Sequence, residues 1–195
     1  MDLIKPSYGI VVIDKQANTL LVQQYGKSWC PPKGRMEEQD HDNPVLTASR
    51  ELREETGYVS GVNRVRQIRE GNVGMPKYRI LFAPSEPHPE HGWYKYLSTT
   101  IARPTFMGKP EPGWFGPVRE FTYYLGLCED LHKVDFSGVR DKAITDMKIV
   151  STENWADSGI PLLMLHGEDF KAICRLHQMA IKRYQQKAQE DAKKN

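Results

Sequence analysis

Residues 34–58 read GRMEEQDHDNPVLTASRELREETGY and contain Arg50-Glu51-Leu52-Arg53-Glu54-Glu55-Thr56-Gly57, directly behind Pro31-Pro32-Lys33. An acidic segment behind a short basic loop is the pairing that metal-assisted attack on a polyphosphate needs: carboxylates hold a hard cation and basic groups meet phosphate oxygens. On a helix, at about 100° per residue, Glu51, Glu54 and Glu55 fall at i, i+3 and i+4 and share a face. Val45, Ala48, Leu52 and Thr56 form the adjacent stripe that can bury. Carboxylates so spaced repel one another, and a divalent cation removes that penalty. Arg50 lies four residues before Glu54 and can pin that carboxylate. Gly34 lets the backbone approach a metal or phosphate closely, and Lys33 and Arg35 offer charge to phosphate oxygens. Glutamates on a helix are otherwise ordinary surface decoration; the loop upstream sets these apart.

Several elements must position that segment. Residues 8–14 (YGIVVID) form a β-branched run that reads as a buried strand, 17–18 as a turn and 19–24 as a second strand. Pro31-Pro32 excludes a regular central strand there. Asn43-Pro44 reads as N-cap and first helical position, with a helix over 44–56 and Gly57 as its stop. Strands are expected over 59–69, with Arg64 and Arg66 on one face, over 77–83, over 120–128 and, briefly, over 147–150. A helix start is expected near Ser151-Thr152. Phe170, Ile173, Cys174, Ala180 and Ile181 recur at helical spacing, which predicts a helix from 169 to about 185, followed by a frayed polar tail over 186–195.

Residues 84–118 combine seven prolines with Trp93, Tyr94, Tyr96, Phe106, Trp114 and Phe115. Disordered linkers are poor in aromatics, so the segment reads as an ordered insertion. It would serve as a lid or pocket wall, or as a flap over a sheet edge.

Composition bounds the rest. At 195 residues, 39% apolar and 27% charged, the chain suits one globular domain with a real core. A net charge of +2 excludes the global basic field of a general nucleic-acid binder. Cys30, Cys128 and Cys174 form no C-x-x-C pair, so neither a disulfide framework nor a zinc site is indicated. No apolar run approaches membrane-spanning length. A cytoplasmic setting is the expectation, with the nucleus and removal of a leader before residue 1 left open.

The acidic segment resembles the box of the Nudix hydrolase family, G-x5-E-x7-R-E-U-x-E-E-x-G-U, where U is a bulky apolar residue. The chain supplies Gly34, Arg50, Glu51, Leu52, Glu54, Glu55, Gly57 and Tyr58. The resemblance implies an α/β fold, a Nudix-type α/β/α sandwich with a mixed sheet over residues 1–185 and the Pro/aromatic-rich insertion at about 84–118. It also implies Mg2+ or Mn2+ held by Glu51, Glu54, Glu55 and the Gly34 carbonyl. Glu54 or Glu55 would act as or orient a general base, and Lys33 and Arg35 would stabilise charge on the phosphates. The chain departs from the pattern in two places. Fifteen residues separate Gly34 from Arg50 where the pattern has thirteen, and counting back from Arg50 puts Asp42 at the loop-glutamate position, with Glu37, Glu38 or Asp40 as substitutes. The final apolar position is Tyr58.

The lead-in Trp29-Cys30-Pro31-Pro32-Lys33-Gly34 is similar to the W-x-P-P-K-G of diadenosine tetraphosphate hydrolases. Related variants occur in diphosphoinositol polyphosphate phosphohydrolases and mRNA decapping enzymes. A dinucleoside polyphosphate or a diphosphoinositol polyphosphate is therefore the expected substrate class. Arg64 and Arg66, with Arg69, Lys77 and Arg79, would supply counter-charge or simply solvate a sheet face. Trp29 would stack on a base or fill the core. The alternative is an RNA 5′-end hydrolase using Lys182, Arg183, Lys187, Lys193 and Lys194 as a track. A nucleotide-sensing module without catalysis is a third class, against which the intact glutamates argue.

Overall fold

The β-branched run near the N-terminus becomes the centre of the sheet. In the computed structural model, which describes residues 6–59, 81–82, 95–101, 118–161, 164–165 and 167–194, strand β1 (Ser7–Asp14) is buried from its third residue to its last. Both of its faces are covered, so its sequence shows no polar alternation. β1 shares one edge between two antiparallel partners. β2 (Asn18–Gln24) pairs at Ile13↔Thr19, and β4 (Lys33–Arg35) pairs at Ser7, Tyr8 and Gly9. β3 (Ser28–Cys30) and β8 (Ile144–Ser151) flank β2. On its other edge β1 runs parallel to β7 (Val118–Cys128), from Ser7↔Phe121 to Asp14↔Cys128. β5 (Leu81–Phe82) and β6 (Lys95–Ile101) pair with β7. The described residues thus form one mixed eight-stranded sheet.

Alternation along β1 sets the layers. Ile10 and Val12 pack with Leu20 and with Ala48 and Leu52 of α1 (Pro44–Thr56). Val11 and Ile13 pack with Leu21, Tyr123, Leu125 and with Ile173 and Leu176 of α2 (Gly167–Ala192). One helix on each face makes the α/β/α sandwich that the sequence led us to expect. Helix α1 begins as anticipated, with the Asn43 side chain accepting from the Val45 amide at 3.0 Å. It ends at Gly57, whose φ of 70° only glycine adopts cheaply. The Pro31-Pro32 pair falls between β3 and β4, where no donor is required.

Asp14 closes β1. Its fully buried carboxylate accepts from the amides of Gln16 (3.0 Å), Asn18 (2.8 Å) and Leu131 (3.0 Å), and from Asn18 Nδ2 (3.1 Å). Asp14→Ala leaves those donors unmatched. At about 1–3 kcal/mol per buried unsatisfied group, the variant is expected to unfold at a clearly lower denaturant midpoint, with an unchanged slope of the transition.

Three sequence expectations change. No helix starts at Ser151-Thr152; the Ser151 hydroxyl instead accepts from the amides of Glu153 and Asn154, making a turn before a short 3-10 segment, Trp155–Ser158. The polar tail is not frayed, because α2 continues to Ala192. Residues 186–192 are good helix formers, and their polarity reports exposure rather than disorder. Within the segment 84–118, Lys95–Ile101 is a strand of the main sheet, paired to β7, rather than a flap laid over it. The expected strand over 59–69, most of that over 77–83 and the remainder of the insertion lie outside the described residues.

Candidate active site

Gly34 lies opposite Tyr8 in the β1–β4 pair, on the sheet face that α1 covers. A Cβ built on it would stand 2.2 Å from the Glu51 carboxyl. Only a glycine lets this strand meet that carboxylate. Gly34→Ala must therefore push Glu51 aside, and a misplacement of this size is expected to lower kcat/KM by about 100-fold. The far-ultraviolet circular dichroism should stay unchanged.

Arg50 is the hub of the site. Its side chain is 6% exposed. Nε and Nη2 donate to the two oxygens of Asp40, each at 3.0 Å. Nη1 lies 2.8 Å from both Glu51 Oε1 and Glu54 Oε2, and Nη2 also donates to the Arg35 carbonyl at 2.8 Å. The expected contact with Glu54 is present, as one of these four, and Glu37 Oε1 lies farther off, 3.7 Å from Nη1. A planar guanidinium meets all four groups at once, which a point-charge lysine cannot do.

The loop acid buried against Arg50 is Asp40, not Asp42. Asp40 is 2% exposed, and the Arg50 hydrogen bonds lower its carboxyl to about 2 against the opposing effect of burial. Asp42 is exposed. His41 and Asp42 have consecutive left-handed φ values of 49° and 56°, and they turn the chain between the acid and the helix. Asp40 is also the sixth residue after Gly34, the position of the box glutamate counted forward. The two extra residues thus follow the acid.

The three glutamates are not equivalent. The Glu54 side chain is 47% exposed, whereas Glu51 and Glu55 are buried. Glu55 Oε1 accepts from Gln24 Nε2 at 2.6 Å and Oε2 from the Lys33 amide at 2.9 Å. Burial pushes the Glu51 carboxyl up to about 7, partly offset by Arg50. Burial likewise pushes Glu55 to about 7, partly offset by Lys33 and its amide. Both values exceed the 4.5 of an ordinary glutamate. Their contribution to stability is therefore full below pH 4.5 and is lost as pH rises through about 7. A divalent cation that takes these carboxylates competes with the protons. Added Mg2+ is expected to raise Tm more at pH 8 than at pH 5, and an equal rise at both would contradict the assignment.

Among the described residues no three His, Cys, Asp or Glu side chains stand together as a protein-only metal cage. Mg2+ is commonly held by one or two carboxylates, with water and substrate phosphate completing the shell. Glu51, Glu54, Glu55 and the Gly34 carbonyl are all hard oxygen donors, and the Glu51 carboxyl occupies the space where a Cβ on Gly34 would stand. The residues fit such a cation.

Lys33 departs from expectation. It pairs with Gly9, so strand alternation turns its side chain to the face of α2, away from Glu51. Its ammonium lies near Cys30 and 5.9 Å from the Phe121 ring centroid. Burial lowers the lysine pKa, but Cys30, Asp169 and Glu55 more than offset this and hold it above the ordinary value. What Lys33 brings to Glu55 directly is its amide. Arg35 is exposed and its carbonyl is held by Arg50. Trp29 is 4% exposed in the α2-side core, with the Lys148 ammonium 5.3 Å from its ring centroid, and has no face left for a base. Arg64 and Arg66 lie outside the described residues. Gln24, at the end of β2, carries no sequence signal of involvement, because only the fold brings it to Glu55.

Residues 3–96 match the family model described as the NUDIX domain. The chain is 49% identical over 47 residues to a putative hydrolase, 111R, of Invertebrate iridescent virus 3; the match covers 24% of this chain and 27% of that protein. The chain thus spans about a quarter of the curated relative it matches. A NUDIX hydrolase from Nitrosomonas europaea superposes with a TM-score of 0.53 at 14% identity, covering 90% of each chain, and this likeness shows the fold. A C. elegans Ap4A hydrolase in a binary complex gives a TM-score of 0.48 at 16% identity, over 88% of this chain and 94% of that one. Among the described residues no helix is long and apolar enough to cross a membrane.

Proposed function

This chain belongs to the Nudix hydrolase family through residues 3–96, and we propose that it is a divalent-metal-dependent pyrophosphohydrolase cleaving a diphosphate linkage in a highly phosphorylated small molecule. The observation that carries the reading is the Gly34 backbone set against Glu51, with Glu54 and Glu55 on the same helical turn. Mg2+ or Mn2+, when bound, supplies charge neutralisation on the phosphates and acidifies a water. Glu51 and Glu55 would be its fixed ligands, held by Arg50 and by Gln24 with the Lys33 amide respectively. Glu54 has the solvent access that a base or water-orienting group requires. Arg35, exposed beside the glutamates' loop, offers charge to the phosphates. The Trp29–Gly34 lead-in supports a dinucleoside polyphosphate or a diphosphoinositol polyphosphate as substrate.

The test is a Mg2+-dependent hydrolysis panel with full-length protein. It comprises diadenosine polyphosphates, diphosphoinositol phosphates, capped and triphosphorylated RNA, ADP-ribose and nucleoside triphosphates. Turnover of one of the first two classes above all others is the expected result. Preference for RNA would replace the small-molecule reading, and no metal-dependent turnover of any would overturn it.

A further inference from the structure

We propose that Gln24 is a positioning residue that fixes the Glu55 carboxylate for its cation. The inference rests on the reading of Glu55 as a ligand. Between Gln23 and Gln24 the pairing of β2 with β8 shifts register, from Gln23↔Asp146 to Gln24↔Ile144. Such bulges re-aim side chains and are frequent beside active sites. The strand end is held in place: the Tyr25 amide donates to the Ala143 carbonyl at 2.8 Å and the Gly26 amide to the Thr145 hydroxyl at 3.0 Å. The same returning segment grips the end of α1, with the Asp141 amide on the Glu54 carbonyl at 2.7 Å and the Gly138 amide on the Gly57 carbonyl at 2.8 Å. Both partners of the Gln24–Glu55 contact are thus mounted on one frame.

The chemistry suits the task. A terminal carboxylate rotation is broad and nearly two-fold, so an unheld glutamate samples many orientations. Here each oxygen accepts one protein donor, at 2.6 Å and 2.9 Å, and keeps a second lone pair. The amide nitrogen that faces Glu55 is donor only, so Gln24 does not compete for the cation there. Being neutral, it also leaves the carboxylate charge for the cation, unlike an arginine or lysine. A carbonyl oxygen turned toward the carboxylate would repel it, which fixes the orientation of the amide.

The experiment titrates Mn2+ into the full chain, follows free Mn2+ by electron paramagnetic resonance, and measures kcat and KM with Mg2+ on the best substrate of the panel. Gln24→Leu is expected to weaken Mn2+ binding by about 10–100-fold and to lower kcat by a comparable factor, with KM little changed. Gln24→Asn keeps an amide but withdraws it by one methylene, and should show the same effects if Gln24→Leu does not fold. Gln23→Leu is the control, since Gln23 meets only Thr145 among the described side chains at that bulge, and it should bind Mn2+ as the wild type does. Wild-type Mn2+ affinity and kcat in a folded Gln24 variant, or an equal loss in Gln23→Leu, overturns the proposal and leaves the hydrolase reading standing. A wild-type chain that binds no Mn2+ overturns both.

Discussion

Glu55→Gln and Glu54→Gln are each expected to reduce kcat by about 100- to 10,000-fold, for different reasons. Glu55 sits between two donors, the Gln24 amide and the Lys33 amide. A glutamine there has one acceptor oxygen for two donors, so one contact becomes donor against donor and the side chain must turn. Cation affinity should fall together with turnover. Glu54 has a half-exposed side chain that, among the described residues, accepts a hydrogen bond from Arg50 at 2.8 Å. Its loss should remove turnover while leaving Mn2+ binding close to wild type. Single-turnover rates with a parallel Mn2+ titration separate the two outcomes. Unchanged turnover in both variants would sink the metal assignment.

Arg50→Ala is expected to be the most destabilising single change in the site. It leaves Asp40, 2% exposed, and Glu51 as buried carboxylates without their cation. Breaking a buried pair in this way costs about 3–5 kcal/mol, which a denaturant midpoint will read. Arg50→Lys keeps the charge but cannot reach Asp40, Glu51, Glu54 and the Arg35 carbonyl together, so its midpoint should fall between the two. The acid limb provides a second check. The Asp40 carboxyl is lowered to about 2 chiefly by its Arg50 hydrogen bonds. Its stabilisation is therefore present above the ordinary aspartate value of about 3.9 and is lost as pH falls toward 2. In Arg50→Ala that acid-side loss should be much reduced; a wild-type slope there would count against the pair.

What was legible beforehand is what depends on neighbours in the chain. Helix α1 was bounded at both ends because Asn43, Pro44 and Gly57 act on backbone groups within a few residues of themselves. Burial of β1 followed from its own β-branched run. The spacing of Glu51, Glu54 and Glu55 is local helical geometry; Gly34 was legible as a position of close approach, but that the Glu51 carboxyl is the group approached came from the fold.

Tertiary structure decided the rest, because it depends on register between strands that are distant in sequence. Counting back from Arg50 pointed to Asp42, yet a left-handed turn at His41 and Asp42 leaves Asp40 facing the guanidinium. Pairing of Lys33 with Gly9 sends the lysine ammonium to the far face of the sheet, and only its amide stays with Glu55. Trp29 enters the core through the packing of α2.

 Local pattern does not say which face a strand-end aromatic takes. Gln24 reaches Glu55 across 31 positions of sequence, through a bulge that exists only once β2 has paired with β8. The sequence alone determined which acids the helix carries and at what spacing, because helical periodicity is a local property. The folded sheet determined which groups hold those acids, because that is settled by which strands lie side by side.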